Sequence, residues 1–253
     1  MPALSRGRLA ADSAICKSNL RQSAIGIATY VADHETYPLG HQYFHFLLGP
    51  YLNLPSFDTN AYVPFVAADG LGLPWPGRLS QTVLSCPSFS RLPNPYGFAF
   101  AYNWGGVASS DYPDPQRRSQ FGLGGEVFAR FKQTFGFGTR YGLPTSIRAI
   151  KDSEVLNPAN MISLGDSVAW SGPLDPPHYE SVGFADLSDA IRYDYNTLGS
   201  GFPETWQKRH NSKFNSAFCD GHVEVFPARK FFDNKNAEYR RRWNNDFQPH
   251  LEF

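Results

Sequence analysis

Residues 209–226, RHNSKFNSAFCDGHVEVF, decide how the rest of the chain is read. Two strand-like runs flank Asp220-Gly221, the pattern of a β-hairpin closed by a two-residue turn with positive φ at both central positions. In that register Cys219 faces His222 across the turn, and Phe218 faces Val223. Side chains alternate along a strand, so Ser216, Phe218, Val223 and Val225 share one apolar face. Ala217, Cys219, His222 and Glu224 share the other. His210 then sits at the base of the first strand and Asp220 at the tip, of order 15 Å away at the usual strand rise. Proton sharing needs about 3 Å. Asp220 and Gly221 therefore read as the turn. His210 reads as the anchor of the loop leading into it, held through its ring nitrogens.

Working outward, the apolar face of this hairpin needs a partner, and the N-terminus offers one. Apolar or small residues recur at Leu9, Ser13, Cys16, Leu20, Ala24, Ile27 and Val31, which traces one face of a helix. No proline interrupts between Ala3 and Tyr37, Pro2 suits a first helical turn, and Tyr37-Pro38 ends the run. Thirty or so residues make a rod of roughly 45 Å. Its first turns, Ser5 to Arg8, are polar and are expected to project. A short second helix is expected over residues 41–52, stopped by Gly49-Pro50. Residues 82–89 and 96–104 read as strands or extended loops, and residues 122–142 show no clear period. Residues 160–170, NMISLGDSVAW, read as a buried strand, and residues 171–208 as loops. A polar tail closes the chain. The organisation expected is a helical spine over residues 1–36 carrying a single head over residues 37–253.

The charge balance excludes some partners. Lys plus Arg and Asp plus Glu number 23 each, so nothing favours nucleic acid or an anionic membrane surface. No apolar run of 18 residues is present, so the sequence as given has no transmembrane helix and reads as soluble. Three cysteines, Cys16, Cys86 and Cys219, form no disulfide framework and no zinc ribbon; they allow one bridge and one free thiol.

His210, nine intervening residues and Asp220-Gly221 resemble the H-X9-DG signature of bacterial prepilin-type proteins. Other pieces match in order: Cys16-x-x-Asn19-Leu20-Arg21-Gln22 followed by Tyr30 and Tyr37-Pro38; Cys86-Pro87-Ser88; YNWGG at 102–106; NPANMISLGDS at 157–167; and RRRWNND-QPH near the end, with Phe247 at the variable place. The resemblance spans the whole chain. It implies an α+β, pilin-like fold, with a long N-terminal helix packed on an antiparallel sheet and long irregular loops. It also implies a non-enzymatic structural subunit of a pseudopilus or type IV pilus-like filament, associated with type II protein secretion in the cell envelope. Partners would be other pilin or pseudopilin subunits, met through the N-terminal helix, and the assembly machinery; no cofactor is expected. Family members begin with a basic leader, a peptidase site and about twenty apolar residues, whereas this chain opens Met1-Pro2-Ala3-Leu4-Ser5. Membrane association is thus expected only through a segment preceding this one. Cys16 and Cys86 both match family cysteines and can bridge helix to body in an oxidising periplasm. Cys219 stands where the family has a small residue and is expected as a buried free thiol.

Rival readings rest on other residues. His41 and His45 have the spacing of a zinc-protease helix, but Gln42 stands where the general base belongs. A metal-dependent hydrolase would need them together with His210 and Asp220. Asp186, Asp189 and Asp194 are the acidic cluster that offers a calcium site, without the alternation of a calcium loop. Asp166 reads as a turn or cap residue, ahead of a catalytic carboxylate. Gly122 to Gly125 reads as a turn and lacks the spacing of a phosphate loop. Arg240, Arg241 and Arg242 read as a solvated face. A binding module for carbohydrate or another exported substrate at a filament tip would need Trp75, Trp104, Trp170 and Trp206 exposed in a groove.

Overall fold

The computed structural model describes residues 2–38, 47–54, 82–91, 95–97, 99–103, 106, 121–124, 126–129, 132–135, 138–141, 144–167, 169–170, 181–183, 209–211, 213–227, 230, 233 and 235–251, with only the backbone course given for 2–3, 95–97, 126–129, 132–135, 138–141, 144–147, 169–170 and 181–183. Helix α1 runs Pro2–His34. Proline at its first position and none within let it propagate. Glu35 stops it with φ +57, its N–H bonding Val31 O at 2.7 Å, two residues before the Tyr37-Pro38 stop expected from sequence. Asp12, Cys16, Leu20, Ser23, Ala24, Ile27, Tyr30 and Val31 form the buried face. The expected stripe therefore holds from Cys16 onward and fails at Leu9, which is 51% exposed on the projecting first turns.

That face lies on a four-stranded antiparallel sheet. The strands are β2 (Phe100–Tyr102), β7 (Ile162–Asp166), β10 (Lys213–Phe218) and β11 (Val223–Pro227), in the order β11-β10-β7-β2. Helix α1 packs on β7, β10 and β11. Every residue of β7 is buried, as expected for a strand covered on both faces. Leu20 and Ile27 of α1 join Phe100, Tyr102, Leu164, Ala217 and the partly buried Val223 in one core. Full burial of such a leucine stabilises by roughly 2 kcal/mol.

The hairpin exists, but its register differs by one residue from the sequence reading. Ala217 pairs with Val223, Ser216 with Glu224 and Phe214 with Phe226. Phe218 N–H bonds His222 O at 3.0 Å, and Gly221 N–H bonds Phe218 O at 3.0 Å, so three residues, Cys219 to Gly221, make the loop. Gly221 has φ +89, whereas Asp220 does not take positive φ. A single left-handed glycine after an ordinary turn replaces the expected pair of positive-φ residues. The shift reassigns the faces. Ala217 and Val223 look toward α1. Phe218, stacked on His222 at 4.3 Å, looks the other way toward Phe226, Tyr239 and Arg242.

Further differences come from local chemistry. Pro87–Ser90 is a short helix, α2, and not a strand, because Pro87 occupies a first-turn position after the extended Cys86. The stretch that showed no period carries β3 (Glu126–Ala129), β4 (Lys132–Phe135) and β5 (Gly138–Tyr141), followed by β6 (Pro144–Arg148). Strand β3 pairs with β6 and β4 with β5. Strand β1 (Pro95–Gly97) pairs parallel to β9 (Ser181–Gly183), which pairs antiparallel to β8 (Ala169–Trp170). The tail is not a solvated face either. Arg240 is buried, donating from Nε to Pro249 O at 2.8 Å, and Trp243 is fully buried. Arg242 lies over the Phe226 ring and bonds Glu224 at 3.2 Å. Asn103 ties this tail to the sheet through Ile162 O and Trp243 O, at 2.8 and 2.9 Å.

Candidate functional site

Four segments far apart in sequence meet beside the buried face of α1. Helix α1 supplies Cys16, α2 and the residue before it supply Ser88 and Cys86, the end of β7 supplies Asp166, and the segment ahead of β10 supplies Arg209 and His210. Cys16 and Cys86 are joined in a disulfide with Cα atoms 4.8 Å apart, and Cys219 is the free cysteine, as expected.

The Cys16-x-x-Asn19 spacing has a direct physical use. Residues three and four apart share a helix face. Asn19 Nδ2 donates to Ser85 O at 2.9 Å, one turn from the bridge, and Ser23 Oγ donates to Val83 O at 3.2 Å. Cysteine, asparagine and serine thus fasten residues 83–86 along α1. Asp12 pairs with Arg91 just beyond α2 and extends the seam. Arg21 and Gln22 of the same motif are exposed.

Asp166 is the hub of the polar half. Its Oδ1 accepts from Arg209 Nη2 at 2.8 Å, and its Oδ2 accepts from Asn215 N and Nδ2 at 2.8 and 2.9 Å. Burial opposes the charge on Asp166. The Arg209 charge, the neighbouring His210 ring and the Asn215 N–H nonetheless hold its pKa below the usual carboxylate range. Arg209 also donates to Ser167 O at 2.8 Å and Ala99 O at 2.6 Å, and lies over the Phe89 ring at 5.2 Å. This five-donor fork occupies its buried position because carboxylate and carbonyls converge on it. Asp166 therefore caps no turn; it anchors the chain that feeds β10.

His210 turns inward with φ +49, and Asn211 follows at +57. Its side chain is 1% exposed. Nδ1 lies 3.4 Å from Ser88 Oγ, and Nε2 lies 3.4 Å from Cys86 Sγ and 3.5 Å from Asp166 Oδ1. The expected anchoring role holds, with partners the sequence did not indicate. Asp220 is elsewhere: exposed at the hairpin tip, its Oδ1 meets His222 Nδ1 at 2.5 Å and accepts from His222 N at 3.1 Å. The two ends of the H-X9-DG motif thus belong to different structures, a buried anchor and a turn.

Cys219 is buried against Tyr37, and burial pushes its thiol pKa far up, so it is a poor nucleophile. His41, His45, Asp186, Asp189, Asp194, Trp75, Trp104 and Trp206 lie outside the described residues, as does the side chain of Trp170. Of the residues the hydrolase reading needs together, His210 and Asp220 are described, and they have different partners. The sequence reading gives Arg209 no role and names Ser88 only within Cys86-Pro87-Ser88. The adjacency of Arg209 to His210 and of Ser88 to Cys86 was the available signal. Among the described residues, no helix is long and apolar enough to cross a membrane. No protein-family model, curated protein or solved structure matches this chain.

Proposed function

We propose that this chain is a pilin-like structural subunit of a pseudopilus or type IV pilus-like filament, associated with type II protein secretion at the cell envelope, and that it works by packing rather than by bond chemistry. The observation that carries this reading is the set of exposed apolar side chains on α1 outside its buried face. One face is spent on the sheet. Turned away from it, Leu4, Ile15 and Ile25 are 75%, 48% and 52% exposed, on a line that also carries Arg8, Ala11, Ser18 and Gln22. A helix serving only its own domain has one apolar stripe and a polar outer face. Large apolar side chains left on the outer face favour a second packing partner, and in this reading that partner is the same face of the N-terminal helix in neighbouring copies.

The site described above supports the role mechanically. The disulfide, the Asn19 and Ser23 bonds and the Asp166–Arg209 pair bind α1, the α2 region and the sheet to one another. A load applied along the helix is thereby passed to the head through covalent and buried polar links. A photo-crosslinking side chain at Ile15 or Ile25, in cells producing the whole gene product, should give a ladder of multiples of this chain. The same group at Leu156, exposed on the head, should not. Ladders from position 156 alone, or from none, would refute the reading.

A further inference from the structure

The disulfide does not exhaust what its surroundings can hold. Cys16 Sγ, Cys86 Sγ and one ring nitrogen of His210 lie within 4.8 Å of one another, all buried. We infer that, with the disulfide reduced, this cluster is a binding site for a thiophilic divalent cation of the Zn2+ type. The ligands would be Cys16, Cys86 and His210, with a water in the fourth position.

The spacing of Cys86 from His210 suits a tetrahedral site before the ion. Ligand atoms at about 2.3 Å for sulfur and 2.0–2.1 Å for nitrogen or oxygen stand roughly 3.3–3.8 Å from each other around such a centre. Cys86 Sγ to His210 Nε2 is 3.4 Å, within that range, and Asp166 Oδ1 stands beside the group, 3.5 Å from Nε2. The opposite ring nitrogen, Nδ1, faces Ser88 Oγ at 3.4 Å. A metal-bound histidine needs such a partner for its other N–H, because that bond fixes the tautomer and leaves the ligating lone pair free.

The charges also close. In the oxidised form the buried cluster holds one carboxylate and one guanidinium. Two thiolates and a dication add nothing to that sum. An unmetallated thiolate pair would bury two uncompensated charges, which is costly. The same surroundings therefore suit the disulfide, the neutral dithiol and the zinc dithiolate, and disfavour the bare thiolates.

The conversion balances. A small dithiol reductant supplies two electrons and two protons to the Cys16–Cys86 bond and leaves as its own cyclic disulfide. Zn2+ then binds both sulfurs and releases the two thiol protons. Oxidation of the zinc dithiolate by a disulfide reverses the exchange and expels the ion. The cluster is thus a switch between a covalent and a metal-held clamp, either of which keeps α1 fastened to the α2 region.

The test uses the purified full chain, oxidised or reduced with a dithiol, incubated with ZnCl2 or CoCl2 and then freed of loose metal. Metal per chain, thiol alkylation and circular dichroism are read on each. The expected result is one zinc per reduced chain and none per oxidised chain. Bound cobalt should show the intense visible bands of a tetrahedral site and a near-ultraviolet thiolate charge-transfer band, and zinc should shield both cysteines from alkylation. His210→Gln should weaken binding at least tenfold. A folded reduced chain that takes up no zinc would overturn the proposal. So would zinc retained equally by the Cys16→Ser/Cys86→Ser variant, or a reduced chain that unfolds as completely with zinc as without it.

Discussion

His210 Nε2 lies 3.5 Å from Asp166 Oδ1, while Asp220, the other end of the sequence motif, pairs with His222 at the hairpin tip. The two aspartates should therefore respond differently to removal. Asp166→Ala leaves Arg209 buried without its carboxylate and should cost about 3–5 kcal/mol. Asp220→Ala removes an exposed hydrogen bond to His222 and should cost about 1 kcal/mol or less. Urea denaturation of the two variants checks the order. Equal losses would mean that Asp220 does more than shape a turn.

The same carboxylate predicts how stability depends on pH. The pKa of Asp166 is lowered in the folded state, so the unfolded chain binds its proton more readily. Its stabilising contribution is fully present above the ordinary unfolded value, roughly 4, and is lost as pH falls through the folded value. Thermal midpoints should decline below about pH 4, and Asp166→Asn should flatten that decline although it lowers the midpoint at neutral pH. An acid limb unchanged in the variant would place the titrating group elsewhere.

Much of this architecture is legible in the sequence, and the reasons are local. Helix α1 shows because its buried residues keep a helical period from Cys16 to Val31. Strand β7 shows because Met161, Ile162 and Leu164 are interrupted only by the small Ser163 and Gly165 in a short run that follows the turn signal of Asn157-Pro158. The hairpin shows through Asp220-Gly221, yet its register does not. An Asp-Gly pair serves both a two-residue turn and a three-residue loop, and a slip of one residue exchanges every side chain between faces. Strands β3 to β5 were hidden by glycines and phenylalanines that mask alternation. The site was the least legible part. His210 meets Cys86 across 124 residues, and the Arg209–Asp166 pair spans 43. No short-range pattern encodes such contacts. The burial of Arg240 was missed because its acceptors are backbone carbonyls of Pro249 and His250, which sequence composition does not show.

The disulfide closes a loop with a separation of 70 residues. The chain-entropy relation for that length gives about 4 kcal/mol of stabilisation, a large share of a domain's total. Cys16→Ser/Cys86→Ser, measured with a chelator present so that no metal intervenes, should lose most of this in guanidinium denaturation. A loss below about 1 kcal/mol would show that the Asn19, Ser23 and Asp12 contacts alone suffice to hold the seam.

Gly221 has φ +89, and a Cβ built there meets no atom within 4 Å. Gly221→Ala should therefore cost only the backbone penalty of a left-handed residue, about 1–2 kcal/mol. A much larger loss would show that the hairpin had changed its register, which amide exchange along β10 and β11 would reveal.

The two faces of α1 give the last prediction, because they separate stability from association. Leu20 is fully buried against the sheet, so Leu20→Ala should cost about 2–5 kcal/mol. Ile15 and Ile25 are about half exposed and lie outside the core. Ile15→Glu and Ile25→Glu should shift stability by no more than about 0.5 kcal/mol. If the outer face packs against neighbouring helices, however, the same two substitutions bury a charge at every repeat of the contact and should abolish the crosslinked ladders. Thermal melts and crosslinking on the same variants read both effects. Variants that melt normally and still form ladders would show that copies meet through another surface; variants that melt early would show that this face belongs to the fold.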